Sequence, residues 1–382
     1  MFQVAVTAMV YRIETAAVQS LIEVLHQQNY SVLGPTLRDG SIVYDELHDA
    51  SDLPMGWTEE QRPGYYRIRK RNDEALFGFT LGPHSWKKFL FPSISKLFSA
   101  SRNAKGFNVL KDKAEPKGGT KPLAFFGVRP CELHAIEIQD KVFASGDYKD
   151  PQYNNVRAQV FIVAVNCSHP AETCFCSSMG TGPGVEGQYD LALTEIIDEK
   201  QHFFLIEAGS PKGEQVLEKI QHRPAEGNEV SKGEDVVRTA ASNMKRALDT
   251  RGIKELLYEN AEHPEWEKVG ARCLSCANCT LVCPTCFCNT VEDSTDLGGT
   301  EATRTRKWDS CFTLDFSYIH GGNIRTSTKA RYRQWMTHKL ASWIDQFGTS
   351  GCVGCGRCIT WCPVGIDITD ETRVIRDNNG SA

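Results

Sequence analysis

The chain has 382 residues, of which 41% are hydrophobic and 24% are charged, and its formal net charge at pH 7 is -5. This composition is typical of a globular protein with two or three domains, and the negative charge argues against a general nucleic-acid-binding protein. The longest near-continuous apolar stretch covers residues 160–165. It is far shorter than the roughly 18 residues that a membrane span needs, so we expect no membrane segment.

The 15 cysteines are the most informative part of the composition. The N-terminal residues MFQVAVTAMV contain neither the basic region nor the cleavage site of a secretory signal peptide, so we expect a cytoplasmic protein. In a reducing compartment, this many cysteines indicate metal ligation rather than disulfides. None lies in residues 1–130, four lie in residues 131–176 and eleven lie in residues 273–362. This distribution predicts a metal-free N-terminal part, a middle part with its own site and a C-terminal ferredoxin-like part.

A strand–helix–strand unit is predicted in the middle of the chain. Residues 123–128 (LAFFGV) and 160–165 are short apolar runs that predict buried strands, and residues 132–143 have helical periodicity. Two strands joined by a helix form a parallel pair, which indicates an α/β fold for the N-terminal and middle region, with α+β as the alternative. The loops after the two strands carry Cys131 and Cys167. Because the carboxyl ends of parallel strands meet at one edge of a sheet, we expect these two thiols to lie close together.

The middle part therefore has a candidate third metal site. Four thiols are enough for one [4Fe-4S] cluster, and the following glycines and serines would expose backbone N–H groups to its sulfurs. Two alternatives stay open, because four cysteines also bind zinc and buried free cysteines behave as small apolar residues. The candidate ligands are Cys131, Cys167, Cys174 and Cys176.

The sequence pattern changes after residue 210. Apolar residues at helical spacing predict amphipathic helices up to residue 270, and residues 227–234 (GNEVSKGE) are the best candidate for a linker. We therefore predict an α/β domain over residues 1–226 and a dicluster domain over residues 235–382. A further helix is predicted over residues 331–347, and helices at this place favour an α-helical ferredoxin domain over one built on two-stranded hairpins.

Two runs near the C-terminus share the spacing C-x2-C-x2-C-x3-C-P, the ligand spacing of bacterial-type two-cluster ferredoxins. Three thiolates of each run bind one cluster, and the fourth reaches across to the other. Zinc is the alternative, but zinc ribbons use pairs of cysteines rather than triplets with a trailing Cys-Pro. We predict two [4Fe-4S] clusters, the first held by Cys273, Cys276, Cys279 and Cys362, and the second by Cys352, Cys355, Cys358 and Cys283.

Three cysteines remain outside these sets, namely Cys286, Cys288 and Cys311. The first two belong to the stretch CPTCFC, so either could replace Cys283 as a ligand or lie beside the ligands as an additional sulfur. Cys283 is preferred because it holds the position before proline. Each of the three is kept as a possible metal ligand.

The chain has no Ser-His-Asp set, no P-loop and no Rossmann fingerprint. Several clusters in one chain without a catalytic motif indicate an electron conduit. A conduit needs a partner at each end, so we expect a hetero-oligomer.

A set of motifs in a fixed order resembles a known family. The chain is similar to the beta, iron-sulfur subunit of the cytoplasmic NAD(P)-linked nickel-iron hydrogenases, also called sulfhydrogenases, and to the electron-transfer subunit of anaerobic sulfite reductase. The resemblance covers nearly the whole chain, and CPTCFC and WDSC are absent from ordinary ferredoxins. The motifs that carry it are LGPHSWKKFLFP, GVRPCELHAIEIQD, NCSHPAETCFCSSMGTGP, CLSCANCTLVCPTCFC, WDSCF and GCVGCGRCITWCPVGIDI.

This resemblance implies a non-catalytic electron-transfer subunit of an oxidoreductase complex. In the hydrogenase, it would link a flavin-bearing NAD(P) diaphorase subunit to the small and large nickel-iron subunits. In the sulfite or polysulfide reductase alternative, the catalytic partner would be a different subunit, and this chain by itself does not separate the two. A zinc-stabilised scaffold without redox function is the third hypothesis.

Overall fold

The computed structural model describes residues 9–103, 106–110 and 121–378. Residues 1–8, on which part of the signal-peptide argument rests, lie outside these ranges. Within the described part of the chain, no helix is long and apolar enough to cross a membrane.

Sixteen strands and fourteen α-helices are described. The strands are β1 Tyr11–Glu14, β2 Ser31–Arg38, β3 Ser41–Glu46, β4 Trp57–Arg62, β5 Tyr65–Lys70, β6 Ile94–Asn103, β7 Gly106–Leu110, β8 Leu123–Val128, β9 Phe161–Val165, β10 Leu191–Ile197, β11 His202–Ala208, β12 Arg223–Pro224, β13 Asn289–Thr295, β14 Glu301–Trp308, β15 Tyr318–Ile319 and β16 Gly322–Asn323. The helices are α1 Ala17–Gln27, α2 Lys87–Leu90, α3 Pro130–Phe143, α4 Pro151–Arg157, α5 Cys176–Met179, α6 Pro211–Leu217, α7 Gly227–Ser242, α8 Ile253–Glu259, α9 Glu265–Arg272, α10 Asn278–Leu281, α11 Thr328–Thr337, α12 Trp343–Phe347, α13 Arg357–Thr360 and α14 Ile368–Asp377.

An eight-stranded mixed sheet forms the core of the N-terminal and middle region, in the order β12-β1-β11-β10-β9-β8-β2-β3. Strands β2, β8, β9 and β10 run parallel, and β8 pairs with β9 through Phe125 opposite Ile162. Every residue of β8 and β9 is buried, as expected for the centre of a sheet covered on both faces. The predicted strand–helix–strand unit is therefore confirmed, and with it the α/β character of this region.

A second, four-stranded antiparallel sheet has the order β13-β14-β6-β7. Its hairpin β13–β14 lies between the two cysteine runs, ahead of the helix predicted there over residues 331–347, and β14 pairs with β6 from the N-terminal part. No element was predicted at this place from the sequence, because both strands are mostly polar and lack an apolar alternation. The helices expected between the runs follow only after this hairpin.

The predicted linker, residues 227–234, is the first half of helix α7, so this prediction was wrong. Glu226 and Glu229 form a reciprocal capping box at the start of the helix, which satisfies backbone N–H groups there. The Glu229 carboxylate also accepts hydrogen bonds from Arg12 and Arg223, which fasten the helix to the edge of the large sheet. Gly233 is buried against Leu205, a close approach that a larger residue would block. Capping and tertiary contacts outweigh the low helix propensity of the glycines.

The predicted helix over residues 331–347 is present and begins three residues earlier, at Thr328. Ser327 caps it by accepting a hydrogen bond of 3.1 Å from the backbone N–H of Ala330. A π-helical turn, His338–Ser342, separates α11 from α12. Buried side chains of this segment, among them Trp335 and Met336, pack into an apolar cluster that is separate from the core around the large sheet. Several cysteines of the two runs lie against this cluster.

Candidate metal centres

A first cavity is lined by all four cysteines that were predicted to hold the first cluster. They come from the end of α9, from α10 and its preceding loop, and from the loop after α13. The remaining wall is largely apolar and includes Phe312, Tyr332 and Trp335. The cysteines are Cys273, Cys276, Cys279 and Cys362, and Cys358 also lines the cavity.

The two cysteine runs share a backbone conformation as well as a spacing. Ser275 and Ala277 in the first run have φ of 52° and 66°, and Gly354 and Gly356 at the equivalent positions have φ of 63° and 73°. These left-handed residues curl each loop so that its N–H groups turn towards sulfur. The N–H of Ser275 lies 3.4 Å from Cys273 Sγ, and that of Gly354 lies 3.5 Å from the sulfur of its own run's first cysteine. N–H groups directed at sulfur are typical of iron-sulfur sites.

The four cysteines predicted for the second cluster are also neighbours. Burial raises the pKa of Cys358 well above its ordinary value, and the nearby thiolates of Cys352, Cys355 and Cys283 raise it further. The Cys283 sulfur lies 3.1 Å from Thr285 Oγ1 and accepts a hydrogen bond of 3.2 Å from Lys339 Nζ. The structure therefore places Cys283, from the first run, beside the three cysteines of the second run.

A second cavity is lined by all four middle cysteines, Cys131, Cys167, Cys174 and Cys176. Cys131 lies in the first turn of α3 after β8, and Cys167 follows β9, so both lie at the carboxyl edge of the parallel strands, as the topology predicted. Each of the two cavities is therefore lined by a complete predicted ligand set.

The second-run cysteines lie between the two cavities. Cys355 lines the cavity of the middle cysteines, and Cys358 lines the cavity of the first run. The three candidate centres therefore follow one another in space, with the second-run centre in the middle. Cys276, at the first-run centre, is the only exposed thiol of the fifteen.

Buried lysine and arginine side chains lie beside these centres, and no sequence pattern predicted that they are buried. Arg357 lines the cavity of the middle cysteines and forms an ion pair of 2.7 Å with Glu132, both almost fully buried. Lys339 and Lys87 are each only 4% exposed. Lys87 Nζ lies 3.9 Å over the Trp308 ring and donates to the backbone carbonyl of Cys286. Lysine is common on surfaces, and no local pattern distinguishes a buried one, so only the structure identifies these residues.

Two of the leftover cysteines, Cys288 and Cys311, interact with each other. A hydrogen bond from the Cys311 side chain lowers the pKa of Cys288 to about 7. The Cys286 side chain in turn hydrogen-bonds to Cys283. Both roles predicted for these cysteines, as a metal ligand or as an additional sulfur beside the ligands, stay predictions.

The cysteine sets fit an iron-sulfur cluster better than zinc. All fifteen cysteines are free thiols. Within the described ranges, no three His, Cys, Asp or Glu side chains are arranged to hold a single metal ion. A zinc ion with Zn–S bonds of about 2.3 Å needs sulfurs roughly 3.8 Å apart. Cysteine sets that line a common cavity without meeting this condition suit a cluster of several metal atoms.

Comparison with known proteins gives two informative matches. A family model described as a 4Fe-4S dicluster domain matches residues 272–366. The chain is also 34% identical over 284 residues to sulfhydrogenase 2 subunit beta of Pyrococcus furiosus, a match that covers 73% of this chain and 82% of that protein.

Among solved structures, a serine palmitoyltransferase variant from S. paucimobilis with a bound PLP-myriocin aldimine overlaps 56% of each chain. The sequence identity is 10% and the TM-score is 0.17. A TM-score this low carries no argument about the fold.

Proposed function

This chain belongs to the family of sulfhydrogenase beta subunits, and from that premise we propose that it connects a flavin-bearing NAD(P) diaphorase subunit to the catalytic subunits of a soluble nickel-iron hydrogenase. It is an iron-sulfur electron-transfer subunit of an oxidoreductase complex. We propose that it carries no substrate chemistry itself. The relative found is a sulfhydrogenase subunit, which favours the hydrogenase over the sulfite reductase alternative.

We propose three [4Fe-4S] clusters, which when bound supply one-electron transfer. The four middle cysteines hold one, and the two runs hold the other two by exchanging their fourth cysteines. The family match to residues 272–366 supports two clusters. The cavity lined by the four middle cysteines supports the third. The proposed ligand sets are Cys273, Cys276, Cys279 and Cys362; Cys352, Cys355, Cys358 and Cys283; and Cys131, Cys167, Cys174 and Cys176.

The observation that carries the proposal is that cysteines of one proposed ligand set also line the cavities of the neighbouring sets. Cys355 and Cys358 belong to one proposed ligand set, yet each also lines the cavity of a neighbouring set. Successive centres therefore have a cysteine in common in their surroundings. This arrangement suits a linear electron path, with the exposed Cys276 at one end.

The polypeptide contributes apolar walls to this path. Phe312, Tyr332 and Trp335 close the first cavity on its inner side, and all three are buried. At the opposite end, the cavity of the middle cysteines is closed by residues such as Leu81 and Pro183. An apolar wall excludes water and shifts the potential of a site, so these residues help to set the driving force.

The assembled complex tests the proposal in three reactions, each measured with this chain present and with it left out. Hydrogen oxidation with an artificial dye and dye reduction by NAD(P)H should both continue in its absence. The transfer of electrons from hydrogen to NAD(P) should be lost. Coupled turnover that persists without this chain would contradict the proposal, and coupling to sulfite instead of hydrogen would favour the alternative.

A further inference from the structure

Lys339 is a buried ammonium group next to the middle centre of the proposed path. It lies in the π-helical turn His338–Ser342 and is 4% exposed. A π-helical turn inside an α-helical segment is rare and often occurs at functional sites. Its wider backbone changes the direction of the side chain relative to a regular helix.

All three donor positions of the ammonium group are used. Lys339 Nζ donates to Cys283 Sγ at 3.2 Å, to Thr285 Oγ1 at 3.0 Å and to the backbone carbonyl of Gly351 at 2.9 Å. One partner is a proposed ligand from the first run, and another precedes the second run directly. The side chain therefore bridges the two segments that meet at this centre.

The charge of Lys339 has no carboxylate partner among the described residues. Its contact with a potentially anionic group is the one with Cys283 Sγ, at 3.2 Å. An ammonium group removed from water is costly unless an anion lies close to it. Thiolate ligands of a cluster would supply this negative charge beside the ammonium group.

We propose that the Lys339 ammonium is a fixed positive charge that raises the reduction potential of the cluster held by Cys352, Cys355, Cys358 and Cys283. This inference rests on the proposed function. Reduction adds one negative charge to the centre, and a cation in contact with a ligand sulfur stabilises the reduced form more than the oxidised form. Lys339 is thus a tuning residue of the electron path, not a ligand.

Lys87 offers a matched comparison in the same part of the molecule. It is equally buried, but its Nζ donates to the backbone carbonyls of Leu281 and Cys286 and faces the Trp308 ring, without a hydrogen bond to a ligand sulfur. If the hydrogen bond to a ligand sulfur causes the change in reduction potential, replacement of Lys87 should change that potential less than replacement of Lys339.

The test is a redox titration, followed by electron paramagnetic resonance, of the full chain with its clusters. In Lys339→Met, one midpoint should become more negative, so that the reduced-to-oxidised ratio at a fixed potential falls tenfold, about 59 mV for a one-electron couple. In Lys339→Arg, the midpoint should return most of the way to the wild-type value. In Lys87→Met, the midpoint should change less than in Lys339→Met.

Lys339→Gln keeps a hydrogen-bond donor without the charge and decides the result if the methionine variant is damaged. Unchanged midpoints in loaded neutral variants would overturn the proposal. So would loss of the cluster from both neutral variants, since Lys339 would then hold the site together rather than tune it. A wild-type chain without iron would instead overturn the proposed function.

Discussion

Individual residues decide how the cysteine runs take up their conformation. Ser275 and Ala277 adopt left-handed backbone angles that glycine occupies in the second run. Ser275 and Ala277 are both half-buried. In the second run, a Cβ atom on Gly356 would overlap the backbone oxygen of Thr173, so glycine is required there. The second run thus approaches the segment that carries Cys174.

Gly356→Ala should destabilise the protein by about 2–4 kcal/mol, because it combines a left-handed backbone with a backbone clash. Ala277→Gly is the matched control at the same motif position and should change the free energy of unfolding by less than about 1 kcal/mol. Urea unfolding, followed by tryptophan fluorescence, measures both variants. Equal stability of Gly356→Ala and wild type would contradict the close approach seen here.

Cys276→Ser should remove one cluster, and the iron content should fall by about four atoms per chain. Its melting temperature should also fall, since metal binding and folding are coupled at sites that tie distant segments together. Cys288→Ser, which changes a cysteine outside the three proposed sets, should keep its iron. Full iron in Cys276→Ser would show that the ligand assignment is wrong, as would loss of four atoms in Cys288→Ser.

Helices and strands could be predicted where the sequence pattern that identifies them lies within the element itself. Strands β8 and β9 were found because central strands of a parallel sheet are continuous apolar runs. The hairpin β13–β14 was not, because β14 pairs with β6, about 200 positions or more earlier in the chain. Helix α7 was mistaken for a linker because Glu229 makes its decisive contacts with Arg12 and Arg223, which no local pattern reveals.

Glu229 provides a test of how α7 is attached. Hydrogen bonds from Arg223 and Arg12 hold the pKa of Glu229 down at about 2. A depressed pKa stabilises the fold above the unfolded value of about 4.3, and this contribution is lost as the pH falls towards 2. With the half-exposed Arg223 screened by solvent, Glu229→Gln should cost about 1–2 kcal/mol at pH 7.

The difference between Glu229→Gln and wild type should shrink as the pH falls from about 4.3 to 2. Glu234→Gln, an exposed position on the same helix, is the control and should change stability little. Urea midpoints at several pH values measure the effect. A difference that stays constant down to pH 2 would contradict the charge-based attachment of α7.

At the scale of the whole molecule, the sequence predicted which cysteines belong together but not what surrounds them. The cysteine sets followed from motif spacing and from the topology of parallel strands, and the structure brings each set together. The order of the centres, with Cys355 and Cys358 between two cavities, required the tertiary structure. The buried cations Lys339 and Arg357 required it too, because burial of a charged residue depends on distant parts of the chain. The domain boundaries and the cytoplasmic location stay predictions.

The central claim is that this chain carries three [4Fe-4S] clusters as an electron path. The most direct measurement is iron and acid-labile sulfide content of the purified chain, combined with a count of paramagnetic centres after reduction by dithionite. We predict about twelve iron and twelve sulfide per chain and three reducible centres. About eight iron atoms with two centres would remove the cluster of the middle cysteines, and a colourless protein that contains zinc would contradict the account as a whole.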